Sequence, residues 1–136
     1  MNFDLPDINK ILETDPFLKP LRMKVVSRTE YEIVIEMPFT ETVKRIGEIM
    51  NGGAIMTLAD VAGGFSLLFD RDVLNQVTIN LSINFIRPIS NGPVIARGKK
   101  LRSGKTVGFS EVDIYDGSGK LCAKANGSWY LFRSEP

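Results

Sequence analysis

The chain has 136 residues and a net charge of +1, and it is 43% hydrophobic and 24% charged. These values are typical of one soluble globular domain, and the near-neutral charge disfavours nucleic acid or an anionic membrane as a partner. Histidine is absent and Cys122 is the single cysteine, which excludes internal disulfides, cysteine or histidine metal clusters and catalytic groups built on histidine. Acid–base chemistry would therefore use carboxylates, lysine, tyrosine or water.

The first part of the chain leads into the main apolar segment. Its start is polar and lacks the apolar stretch of a signal peptide, so we expect a cytoplasmic protein. A short helix is predicted over Pro6–Glu13, within a helical lead-in (residues 1–20) to a single domain over residues 1–136. Two strands are predicted next, at Arg22–Ser27 and Tyr31–Met37. The apolar residues of Phe39–Met50 show neither helical nor strand periodicity, and this segment is predicted to form a loop.

A long apolar run, Asn51–Phe69, reads NGGAIMTLADVAGGFSLLF. Its length is close to the about 20 residues that can span a membrane, but four glycines, two hydroxyl side chains and the central Asp60 argue against a span. We predict instead the buried central helix of a globular domain. A carboxylate in such a helix is costly to bury without a partner, so Asp60 lies either at a wetted edge or in a chemical site.

Four strands are predicted after this helix. Strict apolar–polar alternation over Val77–Phe85 indicates a half-buried strand. The other strands are predicted at Pro93–Arg102, Thr106–Tyr115 and Leu121–Phe132, the last two joined by a turn at Asp116–Gly119. The element order favours an α+β fold in which a curved antiparallel sheet wraps around one long central helix. Because a helix that is apolar on nearly all sides needs more cover than one sheet gives, we also expect a dimer.

The start of the predicted helix is a second chemical feature. Asn51 can cap the helix, and Gly52 and Gly53 leave backbone N–H groups accessible at the positive end of the helix dipole. Such donors suit the oxyanion of an acyl-transfer reaction, although a capped turn is the simpler interpretation. At about 1.5 Å per residue, Asp60 is on the order of 12 Å further along the helix. If both features serve one site, they come from two subunits.

A basic segment is the third feature. Five basic residues fall close together without an acid between them, at Arg97, Lys99, Lys100, Arg102 and Lys105. The turn Ser103–Thr106 adds backbone amides and a hydroxyl, which suit phosphate oxygens, but a solvated hairpin tip is an equal alternative. The G-x-x-x-x-G-K spacing of a P-loop is absent.

Taken together, three stretches resemble the hotdog-fold acyl-CoA thioesterases of the phenylacetate-pathway type: NGGAIMTLAD, VTINLSINFIRPI and LRSGKTVGFSEVDIYD. Members of that family have His-Gly-Gly, an Asp or Glu after six further residues, a strand that ends in Arg-Pro or a similar pair, and a Gly-Lys or Gly-Arg turn. The likeness covers Gly47–Trp129. Asn51 stands where the family has histidine, and no residue here matches the polar side chain often found upstream of it.

The resemblance implies roles for individual residues. Gly52 would supply the amide that polarises the thioester carbonyl, and Asp60 of the facing subunit would be the nucleophile or the base that activates water. Asn51 would cap the helix and donate a hydrogen bond, and Thr78 would help to hold the water. The nucleotide and pantetheine parts of CoA would lie against Gly53, Asn80, Phe85, Arg87, Arg102, Ser103, Gly104, Lys105 and Thr106.

The predicted function is hydrolysis of acyl-CoA thioesters by a homodimer that shares its sites and assembles into a homotetramer. The acyl or aryl group would contact the apolar residues Ile55, Met56, Ala59, Phe65 and Phe85. No metal or separate cofactor is implied, because the CoA moiety is part of the substrate. The alternative is a binding or regulatory protein that holds acyl-CoA without turnover, and such a protein would not need Asp60. A hydratase is disfavoured because the histidine that it would use is missing.

Overall fold

The computed structural model describes residues 3–70 and 72–134, so the ends of the predicted domain lie outside it. Within these residues there are two α-helices, α1 (Leu5–Thr14) and α2 (Gly52–Phe65), and short 3₁₀ turns at Lys19–Leu21 and Glu41–Val43. The strands are β1 (Lys24–Arg28), β2 (Glu32–Met37), β3 (Lys44–Arg45), β4 (Ile49–Met50), β5 (Val73–Phe85), β6 (Val94–Ser103), β7 (Val107–Tyr115) and β8 (Leu121–Arg133). None of the helices in this part of the chain is long and apolar enough to cross a membrane.

Six of the strands form one antiparallel sheet in the order β1-β2-β6-β7-β8-β5, and β3 and β4 form a separate ribbon. Helix α2 packs against this sheet and contacts β2, β5, β6, β7 and β8. The core is centred on α2, where Leu58, Ala59 and Ala62 are completely buried. A curved antiparallel sheet around one central helix is the hotdog fold, so the predicted fold class is confirmed.

Helix α2 starts where the sequence predicts and ends earlier. Asn51 is the N-cap, and its side-chain oxygen accepts a hydrogen bond from the Gly53 N–H at 2.7 Å. The regular helix ends at Phe65 rather than at the predicted Phe69. The residues that follow form i→i−3 hydrogen bonds, the tighter pattern of a 3₁₀ turn, which redirects the chain towards β5.

Strand β5 is longer than predicted. It begins at Val73 instead of Val77, because β8 continues to Arg133 and pairs with Val73 there. The segment predicted as a loop contains the small β3–β4 ribbon. The other predicted helices and strands agree with the structure to within two residues at each end.

Strand β5 lies at one edge of the sheet and exposes apolar side chains. Val77, Ile79 and Phe85 are 53%, 57% and 51% exposed. An edge strand presents unpaired backbone groups that can pair with another strand. The edge is therefore a surface through which the expected dimer could form.

Candidate active site

Asp60 lies at the centre of a small hydrogen-bonded group. It is on α2 and partly buried, and its Oδ1 accepts hydrogen bonds from the Thr78 hydroxyl at 2.6 Å and the Trp129 indole N–H at 3.2 Å. Thr78 and Trp129 are opposite each other in the β5–β8 pairing. These donors offset the cost of placing a carboxylate in an apolar helix. The second oxygen, Oδ2, has no hydrogen bond to any described residue.

Trp129 was not among the site residues predicted from the sequence. Its side chain is completely buried, and a buried indole usually needs an acceptor for its N–H. The signal available in the sequence is that the single tryptophan falls in an apolar strand. Two glycines make room for its ring: a Cβ on Gly63 would be 2.8 Å from Trp129 Cζ2, and a Cβ on Gly127 would be 2.7 Å from Cη2.

A bulge in β5 separates Thr78 from Asn80. The register shifts between them, so that Thr78 is opposite Trp129 and Asn80 is opposite Ser128. Since successive residues of β8 face opposite sides of the sheet, Thr78 faces α2 and Asn80 faces away from it. Asn80 is exposed there, on the opposite side of the sheet from the Asp60 of its own chain. Simple alternation would have placed Thr78 and Asn80 on the same face.

The start of α2 keeps one free backbone donor. The Gly53 N–H is bonded to the Asn51 side chain, whereas the Gly52 N–H has no hydrogen bond within the described residues. The ring of Phe85 lies beside Gly52, at 3.8 Å from the position that a Cβ would take there. The structure thus brings together three groups that the sequence predicts for the site: the Asn51 cap, the Gly52 amide and the ring of Phe85.

Gly52 and Asp60 are distant from each other within one chain. They are eight positions apart on the same regular helix, which corresponds to about 12 Å along its axis. One thioester carbonyl group cannot contact both at once. A single chain therefore carries two separate halves of the expected site.

A cleft of about 400 Å³ opens beside Asp60. Its apolar lining comes from α2 and from the N-terminal segment: Phe3, Ile11, Phe17, Leu18, Val61, Phe65 and Leu68. Of the residues expected to contact an acyl group, Phe65 lines this cleft. Ile55 and Ala59 are buried in the core instead, and Met56 and Phe85 are exposed away from the cleft.

The Ser103–Thr106 turn has fewer free hydrogen-bonding groups than the sequence indicated. The Gly104 N–H donates to the Val107 carbonyl at 2.9 Å. Arg133 donates to the Ser103 hydroxyl at 2.8 Å and to the Gly104 carbonyl at 2.8 Å. This amide and this hydroxyl oxygen are therefore already engaged, and a phosphate group would meet mainly the exposed side chains of Arg102, Lys105 and Thr106.

The cations of the basic segment differ in their partners. Arg97 is ion-paired with Glu32, and Lys100 with Asp70. Arg102 and Lys105 have no ion pair within the described residues. Arg87 donates to the Leu121 carbonyl at 2.9 Å. None of the predicted CoA-binding residues lines the Asp60 cleft of the same chain.

Comparison with known proteins places the chain in a family. The model of the thioesterase superfamily matches residues 47–123. A Thermoplasma acidophilum protein, provisionally named an esterase, is 43% identical over 96% of this chain and 99% of its own length. A similarly named Saccharolobus solfataricus protein is 41% identical over 90% of this chain and 88% of its own length.

Solved structures show the same fold. A Haemophilus influenzae thioesterase has a TM-score of 0.88 at 22% identity and covers 98% of this chain and 93% of its own. Zebra fish thioesterase superfamily member 2 has a TM-score of 0.85 at 22% identity and covers 96% of this chain and 100% of its own. At these identities the likeness supports the architecture, while the family model and the closer relatives carry the assignment. The chain belongs to the thioesterase superfamily of hotdog-fold hydrolases.

Proposed function

We propose that the protein hydrolyses acyl-CoA thioesters to the free acid and CoA. The observation that carries this proposal is the state of Asp60: Thr78 and Trp129 fix one carboxylate oxygen, and the other has no hydrogen bond to the described residues. The adjoining cleft is mostly apolar, which suits an acyl group. Membership of the thioesterase superfamily supports the same reaction class.

Two routes are open to Asp60. As a general base, it takes a proton from water while the water oxygen attacks the thioester carbonyl carbon; the C–S bond then breaks, and the CoA thiolate takes up the proton. As a nucleophile, it attacks the carbonyl carbon, expels the CoA thiolate and forms an anhydride that water hydrolyses. In both routes Oδ2 is the reacting oxygen, because Oδ1 is held by Thr78 and Trp129.

The oxyanion that forms on the substrate would be bound by the Gly52 N–H of a second subunit. The free donor at Gly52 supports this role, and its separation from Asp60 within one chain requires the second subunit. The apolar edge strand β5 is the surface that we propose for the dimer. Two-fold symmetry would then create two equivalent sites, and two dimers would form the tetramer.

The nucleotide phosphates of CoA would bind Arg102, Lys105 and Thr106. Arg102 and Lys105 are exposed and have no ion pair within the described residues, so binding phosphate would break no existing pair. The pantetheine part would then lie towards Phe85, next to Gly52. Asn80 and Arg87 are further candidates for contacts with CoA.

The test is release of free thiol from a panel of acyl-CoA substrates, from acetyl to palmitoyl and including phenylacetyl. Asp60→Asn should keep the fold and lower kcat by at least about 100-fold, the usual contribution of an acid–base group. Asp113→Asn, which changes an aspartate on β7 that pairs with Lys124, is the matched control and should retain activity. Wild-type rates in Asp60→Asn would refute the assigned role. Binding of acyl-CoA by wild type without any turnover would favour the binding protein.

The shared site has a separate test. Asp60→Asn and Gly52→Val should each be inactive, and mixing them should restore part of the activity through hybrid dimers. In the hybrid, one site inherits both changes and the other inherits neither. A fully active monomer in the ultracentrifuge would contradict the shared site.

A further inference from the structure

We propose that Gln76 determines the acyl specificity of this site by hydrogen-bonding a polar group, such as a hydroxyl, carried on the acyl chain. This inference rests on the proposed thioester hydrolysis and concerns the part of the cleft beyond the reacting carbonyl. Gln76 is on β5, is partly buried and lines the same cleft as Asp60.

Strand β5 and helix α2 meet at two successive levels. At the first level, Thr78 bonds to Asp60. At the second level, the carboxamide of Gln76 packs against Gly64, where a Cβ would lie 2.8 Å from Cδ and Oε1 and 2.9 Å from Nε2. Gly64 follows Asp60 by four residues, which is just over one helical turn, or about 6 Å. The Gln76 carboxamide is therefore fixed about one turn along the cleft from the catalytic carboxylate.

The hydrogen bonds of the polar cleft residues single out Gln76. Asp15 accepts from the backbone of the N-terminal segment, Thr57 donates to the Gly53 carbonyl, and Asn75 accepts from a backbone N–H. The Gln76 carboxamide has no hydrogen bond to a described residue, although it can donate two and accept two. A polar group facing an apolar cleft in this state is available to a ligand.

The absence of a side chain at position 64 is what allows this arrangement. Glycine is disfavoured in a helix by up to about 1 kcal/mol relative to alanine, and at Gly64, in the last turn of α2, the space of the missing Cβ is taken by the Gln76 carboxamide. This packing holds the Gln76 carboxamide in one position in the wall of the Asp60 cleft. A restricted donor and acceptor discriminates between ligands better than a mobile one.

The spacing indicates where the polar group would be on the substrate. With the carbonyl carbon beside Asp60, this distance is spanned by about four to six bonds of about 1.5 Å each, the last of which is the C–O bond of the hydroxyl. We therefore expect a preference for acyl chains with a hydroxyl at C4, C5 or C6. Hexanoyl-CoA and its 4-, 5- and 6-hydroxy derivatives form a matched set for testing this.

The experiment measures kcat/KM for this set with wild type, Gln76→Met and Gly64→Ala. Methionine keeps the length and unbranched shape of glutamine without its hydrogen-bonding groups, and Gly64→Ala displaces the carboxamide without removing it. In both variants the ratio of the best hydroxyhexanoyl-CoA to hexanoyl-CoA should fall by about tenfold or more, the usual effect of losing one buried hydrogen bond. Asn126→Leu, an exposed change on β8, is the control and should leave the ratio as in wild type.

The outcomes separate the two proposals. If wild type hydrolyses none of the substrates, the proposed function fails, and this inference fails with it. If hexanoyl-CoA is hydrolysed but the ratio in Gln76→Met equals that of wild type, the role of Gln76 is wrong while the thioesterase proposal stands. If Gln76→Met does not fold, the ratio in Gly64→Ala decides in the same way.

Discussion

Replacing Gly63 with alanine should destabilise this protein, although the same change usually stabilises a helix. Gly63 is in the last turn of α2, and alanine is favoured over glycine in a helix by up to about 1 kcal/mol. A Cβ at this position would be 2.8 Å from Trp129 Cζ2 and closer still to Cη2. Trp129 is completely buried, so its ring has little space into which it can move.

The magnitude follows from two costs and one gain. Overpacking a core costs about 1–3 kcal/mol. Moving the indole would also weaken its 3.2 Å hydrogen bond to Asp60, and a hydrogen bond to a charged group contributes about 1.5–3 kcal/mol. After subtracting the helical gain, Gly63→Ala should lower the free energy of unfolding by about 1.5–5 kcal/mol.

A double-mutant cycle tests this value. It compares the free energies of unfolding, from heat or urea, of wild type, Gly63→Ala, Trp129→Phe and the protein with both changes. Trp129→Phe removes the outer ring atoms that a Cβ at Gly63 would meet. In that background, Gly63→Ala should be neutral or stabilising by up to about 1 kcal/mol, the helical preference alone. The two changes should therefore be strongly coupled.

Activity provides a second measurement of the same contact. Gly63→Ala moves the indole donor away from Asp60 and should lower kcat for the best acyl-CoA substrate by about tenfold, the effect of about 1.4 kcal/mol on the barrier. If Gly63→Ala is as stable as wild type and equally active, Trp129 does not constrain Asp60 through this contact.

Three further predictions concern Thr78, the CoA site and the cysteine. Thr78→Val, which removes the second donor to Asp60, should lower kcat by about tenfold, and it should change stability little because Thr78 is exposed and water can take the place of its hydroxyl; an unchanged kcat would contradict its role. Lys105→Ala, alone or with Arg102→Ala, should raise KM for acyl-CoA but not for a pantetheine thioester, and the increase in KM should be smaller at high salt. An unchanged KM for acyl-CoA at low salt would place the phosphates elsewhere. Burial raises the pKa of the Cys122 thiol, so the native protein should react slowly with a thiol reagent at about pH 8 and quickly once unfolded; rapid reaction of the native form would show that the thiol is accessible.

Much of the fold could be predicted from local sequence patterns. The strict alternation over Val77–Phe85 and the apolar run from Asn51 identify strand β5 and the central helix, because each pattern reflects the residue repeat of a single element. Asp60 and Gly52 could be identified for a similar reason, since a lone carboxylate in an apolar helix and a capped glycine pair are local features. The distance between them along one helix also follows from the sequence, and with it the expectation of a second subunit.

Contacts between distant segments were decided by the tertiary structure. The bulge after Thr78 separates Thr78 from Asn80, and no local pattern marks it, because it arises from the pairing of β5 with β8. The same pairing places Trp129 against Asp60, and the N-terminal segment supplies much of the cleft wall. Gly63 and Gly64 illustrate the difference: the sequence shows two helix-weakening residues, and only the packing of Trp129 and Gln76 against them explains why a Cβ has no room there.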